Sequence, residues 1–229
     1  MVGTIINAVT IIFCSIIGLL FKKALPQRLC ETITQGMGLG IMIIGISMAL
    51  KTQDIIILLV SLLFGAVIGE LLNIEKQLKR LGDRLGSKMK KKDNTISQGF
   101  VTASLLFCTG SMGIMGAIEN GLTGTYGILL SKSLLDGIFS IIFASTMGIG
   151  VLFSAIPVFL YQGGITLLAG SIKTLLSAGM INEMNAVGGV LIFAIGINMV
   201  KIKNLKIGNL LPAIIMPIII LWVLGLFGF

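Results

Sequence analysis

The sequence predicts an all-α protein, a polytopic transmembrane bundle of seven or eight helices. Three observations carry this reading. The 229 residues are 55% hydrophobic and only 11% charged, whereas soluble domains carry roughly 25% charged residues. Mean hydropathy is +1.06. The apolar runs are continuous rather than alternating, which excludes a transmembrane β-barrel.

Apolar stretches of spanning length fall at residues 3–21, 33–50, 54–72, 97–118, 133–150, 151–172, 185–200 and 207–227. A span needs about 20 residues. The first has its charges after the apolar run and no A-x-A site behind it, so it reads as a helix and not a signal peptide. The fifth and sixth come from splitting one long run, 133–172, near Met147-Gly148-Ile149-Gly150. With eight spans, Lys22, Lys23 and Arg28, the basic segment after the third span, and Lys201, Lys203 and Lys206 all face one side. The positive-inside rule makes that side cytoplasmic, with both termini outside.

The chain divides into a first three-helix segment (1–73), a basic segment (74–96), a central helix pair (97–150) and a second three-helix segment (151–229). In the basic segment Ile74, Leu78, Leu81, Leu85 and Met89 share one helix face, with Lys and Arg on the others. This is the pattern of an amphipathic helix on anionic lipid headgroups over residues 74–92, or of a solvated linker. A juxtamembrane basic segment argues for lipid and against nucleic acid.

The two three-helix segments resemble each other. Gly3–Ala8 parallels Gly150–Ala155, and Gly38–Lys51 parallels Gly188–Lys201 with a shift of one residue that brings Gly45-Ile46-Ser47-Met48 onto Gly196-Ile197-Asn198-Met199. The first helices of the two segments run in opposite senses, so the expectation is an inverted repeat, an architecture of transporters and channels. It pairs Asn7 with Ser154 and Ser47 with Asn198. These small polar groups either hydrogen-bond between helices, at about 0.6 kcal/mol each, or line a pathway.

Between Cys108 and Gly137 glycine recurs at nearly every third position, and the stretch also carries Glu119, Asn120, Lys132 and Asp136. Glycine at this density weakens a helix by about 1 kcal/mol per residue, so a break is expected at 109–113. Irregular backbone at membrane depth survives only where protein buries it or water reaches it. Lys132 and Asp136 are four apart and share a helix face. Gln162 falls within the sixth span. Charged groups at this depth cost roughly 2.5–3.5 kcal/mol each and are functional candidates by default. The alternative is an external loop closed by a Lys–Asp pair.

No His, CxxC, HExxH, G-x-S-x-G or Walker loop is present, and Asp136 is the lone deep Asp. The expectation is no enzyme, no cofactor and no metal site. Cys14, Cys30 and Cys108 suggest no disulfide.

The stretches Gly110–Gly124, Lys132–Thr146, Gly148–Ala169 and Gly196–Ile214 resemble the bacterial integral membrane family known as domain of unknown function 554. That resemblance covers nearly the whole chain. It implies a small, multi-pass protein of the bacterial inner membrane, sometimes labelled a sodium channel or pump. The family often carries Asp where this chain has Asn120, so a carboxylate there is dispensable. Taken together, the sequence points to a secondary transporter or channel for a small solute, first a monovalent cation such as sodium or proton. The competing class is a non-conducting structural or regulatory membrane protein. A homo-oligomer is compatible with either.

Overall fold

The computed structural model describes residues 1–22, 26–87 and 94–226, with backbone alone for 81–87, 94, 95, 174 and 226. Every element in them is helical: α1 (Val2–Lys22), α2 (Gln27–Ala49), α3 (Ile55–Leu72), α4 (Ile74–Ser87), α5 (Asn94–Cys108), α6 (Ser111–Thr123), α7 (Gly127–Met147), α8 (Gly150–Phe153), α9 (Ala155–Leu167), α10 (Ala169–Leu175), α11 (Ala178–Met199), a 3-10 helix (Ile207–Ile214) and α12 (Met216–Leu226). Among the described residues seven spans are long and apolar enough to cross a membrane, with α8–α9 and the 3-10 helix–α12 run each counting as one. The bent pair α5–α6 makes an eighth when taken as a single span. Ile43, Leu71 and Leu134, each at least 65% exposed, present the kind of side chain that meets lipid tails.

Local chemistry sets the helix ends. Asp54 accepts from the Ile56 amide at 2.8 Å and starts α3, and Ser177 accepts from the Met180 amide at 3.2 Å and starts α11, each meeting a donor that the first turn leaves unpaired. Asn73 closes α3 in the left-handed conformation, φ 51°, one of the few non-glycine residues suited to it.

The helices begin and end beyond the purely apolar runs. α2 starts at Gln27 and takes in Arg28, α6 continues to Thr123 and takes in Glu119 and Asn120, and α11 starts at Ala178 and takes in Glu183. Hydropathy marks where a helix is greasy, and polar residues extend it past that limit when the backbone bonds continue. The amphipathic segment forms α4 over 74–87; Lys88, Met89, Lys90, Lys91 and Lys92 lie outside the described residues, as does Lys23.

The chain folds as two compact units. The first holds Met1–Thr34 and Leu78–Leu175, and the second Gln35–Gln77 and Leu176–Phe229. The three-helix segments divide along similar lines: α1 and α8–α9 belong to the first unit, α3 and α12 to the second, together with most of α2 and all of α11.

In the first unit, α1 and α7 pack in parallel. Residue numbers rise together along the seam, with Gly3 against Leu129, Gly137 against Thr10 and Cys14, and Gly18 against Ile141 and Ala144. A Cβ at Gly18 would clash with the Ile141 carbonyl, so glycine sets how near the two backbones come. If α1, α2, α3 and α7 each cross the membrane, parallel α1 and α7 require three crossings between them. The α5–α6 pair then supplies the third as one bent span.

In the second unit, α2 and α11 cross antiparallel through four glycines. Gly38 meets Gly196, and Gly45 meets Gly189 and Phe193. An inverted relation between the two three-helix segments requires this orientation.

Candidate functional site

The site begins at the break. α5 stops at Cys108, where Thr109 turns both its amide (3.0 Å) and its hydroxyl (2.5 Å) back onto the Leu105 carbonyl. Gly110 follows with φ +116°, a region that side-chain-bearing residues avoid. α6 restarts at Ser111, bent by 62° from α5. A helix that ends here leaves the carbonyls of its last turn without intrahelical donors. Gly113 opens the first turn of α6 towards α7 and α9: a Cβ there would lie 3.4 Å from Lys132 Cε and 3.9 Å from Gln162 Nε2.

Beneath the break lies an ion pair. Lys132 Nζ donates to both oxygens of Asp136, at 2.9 and 2.7 Å. Each side chain is 7% exposed. Lys132 stands in the second turn of α7 and not in an external loop, because the helix starts at Gly127. Asn7 of α1 donates through Nδ2 to Asp136 Oδ2 at 3.0 Å and to Gln162 Oε1 of α9 at 3.3 Å. Asn7 and Gln162 are wholly buried. The Thr4 and Thr166 hydroxyls meet at 3.3 Å on the same two helices.

Two polar atoms of this cluster make no hydrogen bond, Asn7 Oδ1 and Gln162 Nε2. An unmet buried amide group costs about 1–3 kcal/mol. The cluster therefore combines a neutralised carboxylate, one unmet acceptor and one unmet donor in an apolar surround. It can exchange partners around Asp136: a small cation can take the place of the Lys132 ammonium, with amide oxygens at hand.

Other residues anticipated for the site stand elsewhere. Asn120 is buried but serves the α6–α7 turn, donating to the Gly124 and Thr125 carbonyls at 3.3 and 3.0 Å and accepting from the Met1 amino group at 2.7 Å. Glu119 is half-buried on α6, with Oε2 buried and unpaired. The Ser154 hydroxyl turns back to the Val151 carbonyl at 2.6 Å. Ser47 and Asn198 belong to the second unit. Ser47 is exposed on α2 and bonds the Ile44 carbonyl at 2.8 Å. Asn198 pins the loop after α11 through the Leu205 amide (2.7 Å) and carbonyl (2.9 Å). Neither joins the Asp136 cluster, because Ser47 faces outward and both polar ends of Asn198 are used by the loop. Among the described residues no group of three or more His, Cys, Asp or Glu could hold a metal.

Sequence reasoning missed two polar clamps in the second unit. Glu183, 2% exposed, accepts from Thr52 Oγ1 at 2.5 Å and from the Gln53 amide at 2.6 Å, tying α11 to the α2–α3 loop. Glu70 accepts from Lys206 at 2.8 Å and Asn209 at 2.5 Å, and Glu75 accepts from the Gly208 amide at 2.7 Å, tying α3 and α4 to the 3-10 helix. A lone acidic residue in a glycine- and alanine-rich stretch, as Glu183 is, was the available signal.

No solved structure matches the chain. It is 37% identical over 234 aligned positions to the "Uncharacterized membrane protein YdfK" of Bacillus subtilis (strain 168), covering all of this chain and 99% of that one. It is 32% identical over 207 positions to the "Uncharacterized protein YqgA" of Escherichia coli (strain K12), covering 88% of each. With a family model matching residues 2–222, the chain belongs to the family described as Protein of unknown function (DUF554).

Proposed function

We propose that this membrane protein is a secondary transporter or channel for a small solute, first a monovalent cation such as sodium or proton, in the bacterial cell membrane. The observation that carries the reading is the buried Lys132–Asp136 pair joined to Asn7 and Gln162 beneath a broken helix. A structural bundle has no need of it, since lone charges in a span cost roughly 2.5–3.5 kcal/mol each and a buried pair is weak support for stability. Discontinuous helices beside buried charge are the usual setting of ion sites in transporters.

In this reading Asp136 binds the cation and Lys132 takes its place when the site is empty, so the interior never holds a bare carboxylate. Asn7 and Gln162 hold the carboxylate and offer neutral contacts. No step needs a cofactor or a catalytic group. The basic segment 74–92 takes anionic lipid headgroups as its partner.

The test is a flux screen on purified protein in liposomes with sodium, potassium, protons and small organic anions. Uptake of a monovalent cation above that of empty liposomes supports the proposal. Tight vesicles with every solute excluded point to the structural or regulatory class instead.

A further inference from the structure

A helix N-terminus opens onto the ion pair. The first turn of a helix leaves amides without intrahelical partners and carries a partial positive charge. The two together attract anions. α6 begins at Ser111 and runs for 13 residues. Its cap position is Gly110, which has no side chain to accept from that turn. Gly113, in the first turn, is buried against Lys132 of α7 and Gln162 of α9.

A second observation points the same way. Gln162 is 0% exposed, and its Nε2 makes no hydrogen bond within the protein. The other end of the amide fixes its orientation, because Oε1 accepts from Asn7 Nδ2 at 3.3 Å. Turning the amide over would set donor against donor. Nε2 is therefore the end that faces Gly113, 3.9 Å from where a Cβ would stand. Lys132 brings a further donor. An ammonium carries three N–H groups, and it is bonded to both oxygens of Asp136. Lys132 Cε and Cδ pass 3.4 and 3.9 Å from the same Cβ position. Amide, lysine and helix end thus meet where Gly113 has no side chain.

We infer that the α6 N-terminus, Gln162 Nε2 and Lys132 Nζ receive a small monovalent anion of the halide class while a cation occupies Asp136. The inference rests on the cation reading for its timing and deepens it: the solute becomes a cation with its counter-ion. A cation on Asp136 releases Lys132, and a released ammonium is a bare charge in an apolar interior. An anion beside Gly113 neutralises it. With no cation bound, Asp136 keeps Lys132 and repels a second negative charge, so the anion follows the cation. The absent side chain leaves room about the size of a methyl group, which suits a halide and excludes a phosphate.

The experiment is equilibrium binding of radioactive chloride to the full chain, purified in detergent with gluconate as the bulk anion. It compares sodium with choline at equal ionic strength, and wild type with Gly113→Ala and Lys132→Gln. Alanine at 113 makes ordinary contacts with its neighbours and fills the seat. The expected result is saturable chloride binding, at least about tenfold tighter in sodium than in choline, with chloride tightening sodium by the same factor, as linkage requires. Gly113→Ala should lose chloride and keep sodium. Lys132→Gln should lose chloride while binding sodium more tightly; if it does not fold, Gly113→Ala decides alone. Wild type with no saturable chloride binding in sodium overturns the site and, where sodium itself still binds, leaves the cation reading standing. Gly113→Ala binding chloride as wild type does also overturns the site. Chloride bound equally in choline, and lost in Gly113→Ala, would retire the cation reading and keep the anion site.

Discussion

At the scale of residues, Asp136 and Lys132 hold each other in place. Removing one partner of a buried pair leaves the other charge uncompensated, at about 3–5 kcal/mol, whereas replacing both by neutral groups is often close to neutral. Asp136→Asn alone should therefore unfold markedly earlier in a detergent thermal melt, and Lys132→Gln with Asp136→Asn should return close to the wild-type midpoint. Equal midpoints for the single and double variants would mean that water reaches Lys132 freely. The spacing of the pair was legible in the sequence, because four residues on a helix is a fixed geometry. Its burial was not, because the glycines ahead of it also fit a loop. The meeting of Asn7 with Gln162, 155 positions apart, lies beyond any local pattern. Ser47 and Asn198 show the same limit from the other side: a small polar group in an apolar helix carries no mark of the face it occupies.

Among the elements, the α5–α6 break matters most, and the sequence showed it through glycine density. Gly110 and Gly113 separate its two causes. At Gly110 a Cβ would meet nothing within 4 Å, but φ is +116°, so Gly110→Ala carries backbone strain alone, of order 1–3 kcal/mol. At Gly113 the backbone is helical and the added methyl meets Lys132 Cε at ordinary contact distance. Gly113→Ala should be neutral or slightly stabilising, since alanine gains up to about 1 kcal/mol over glycine in a helix. Thermal melts of the two variants check this, and equal losses would contradict the assignment of the break to Gly110. The glycine crossing of α2 and α11 leads to a second expectation. In an experimental structure, α2–α3 should superpose on α11–α12 after a near two-fold rotation about an axis in the membrane plane, with Gly38 on Gly189 and Gly45 on Gly196. Superposition in any other register, or none, would remove the inverted repeat. The polar clamp at Glu183 escaped sequence reasoning because the apolar run begins after it, while the helix begins before it.

For the whole molecule, the spans, the basic loops and the parallel α1–α7 pair lead to one orientation. Single cysteines at Gln53 and Thr125, in a background free of native cysteine, should react with an impermeant reagent applied to intact cells, and one at Lys203 should not. Labelling of position 203 with 53 and 125 protected would invert the topology. The central claim is that the buried carboxylate of Asp136 binds a monovalent cation in exchange for Lys132. Its most direct test is equilibrium binding of radioactive sodium to purified protein, comparing wild type with Lys132→Gln and with the folded double variant Lys132→Gln/Asp136→Asn. The account predicts saturable binding in wild type, tighter binding once the competing ammonium of Lys132 is gone, and none in the double variant. Binding by the double variant equal to that of wild type would contradict it.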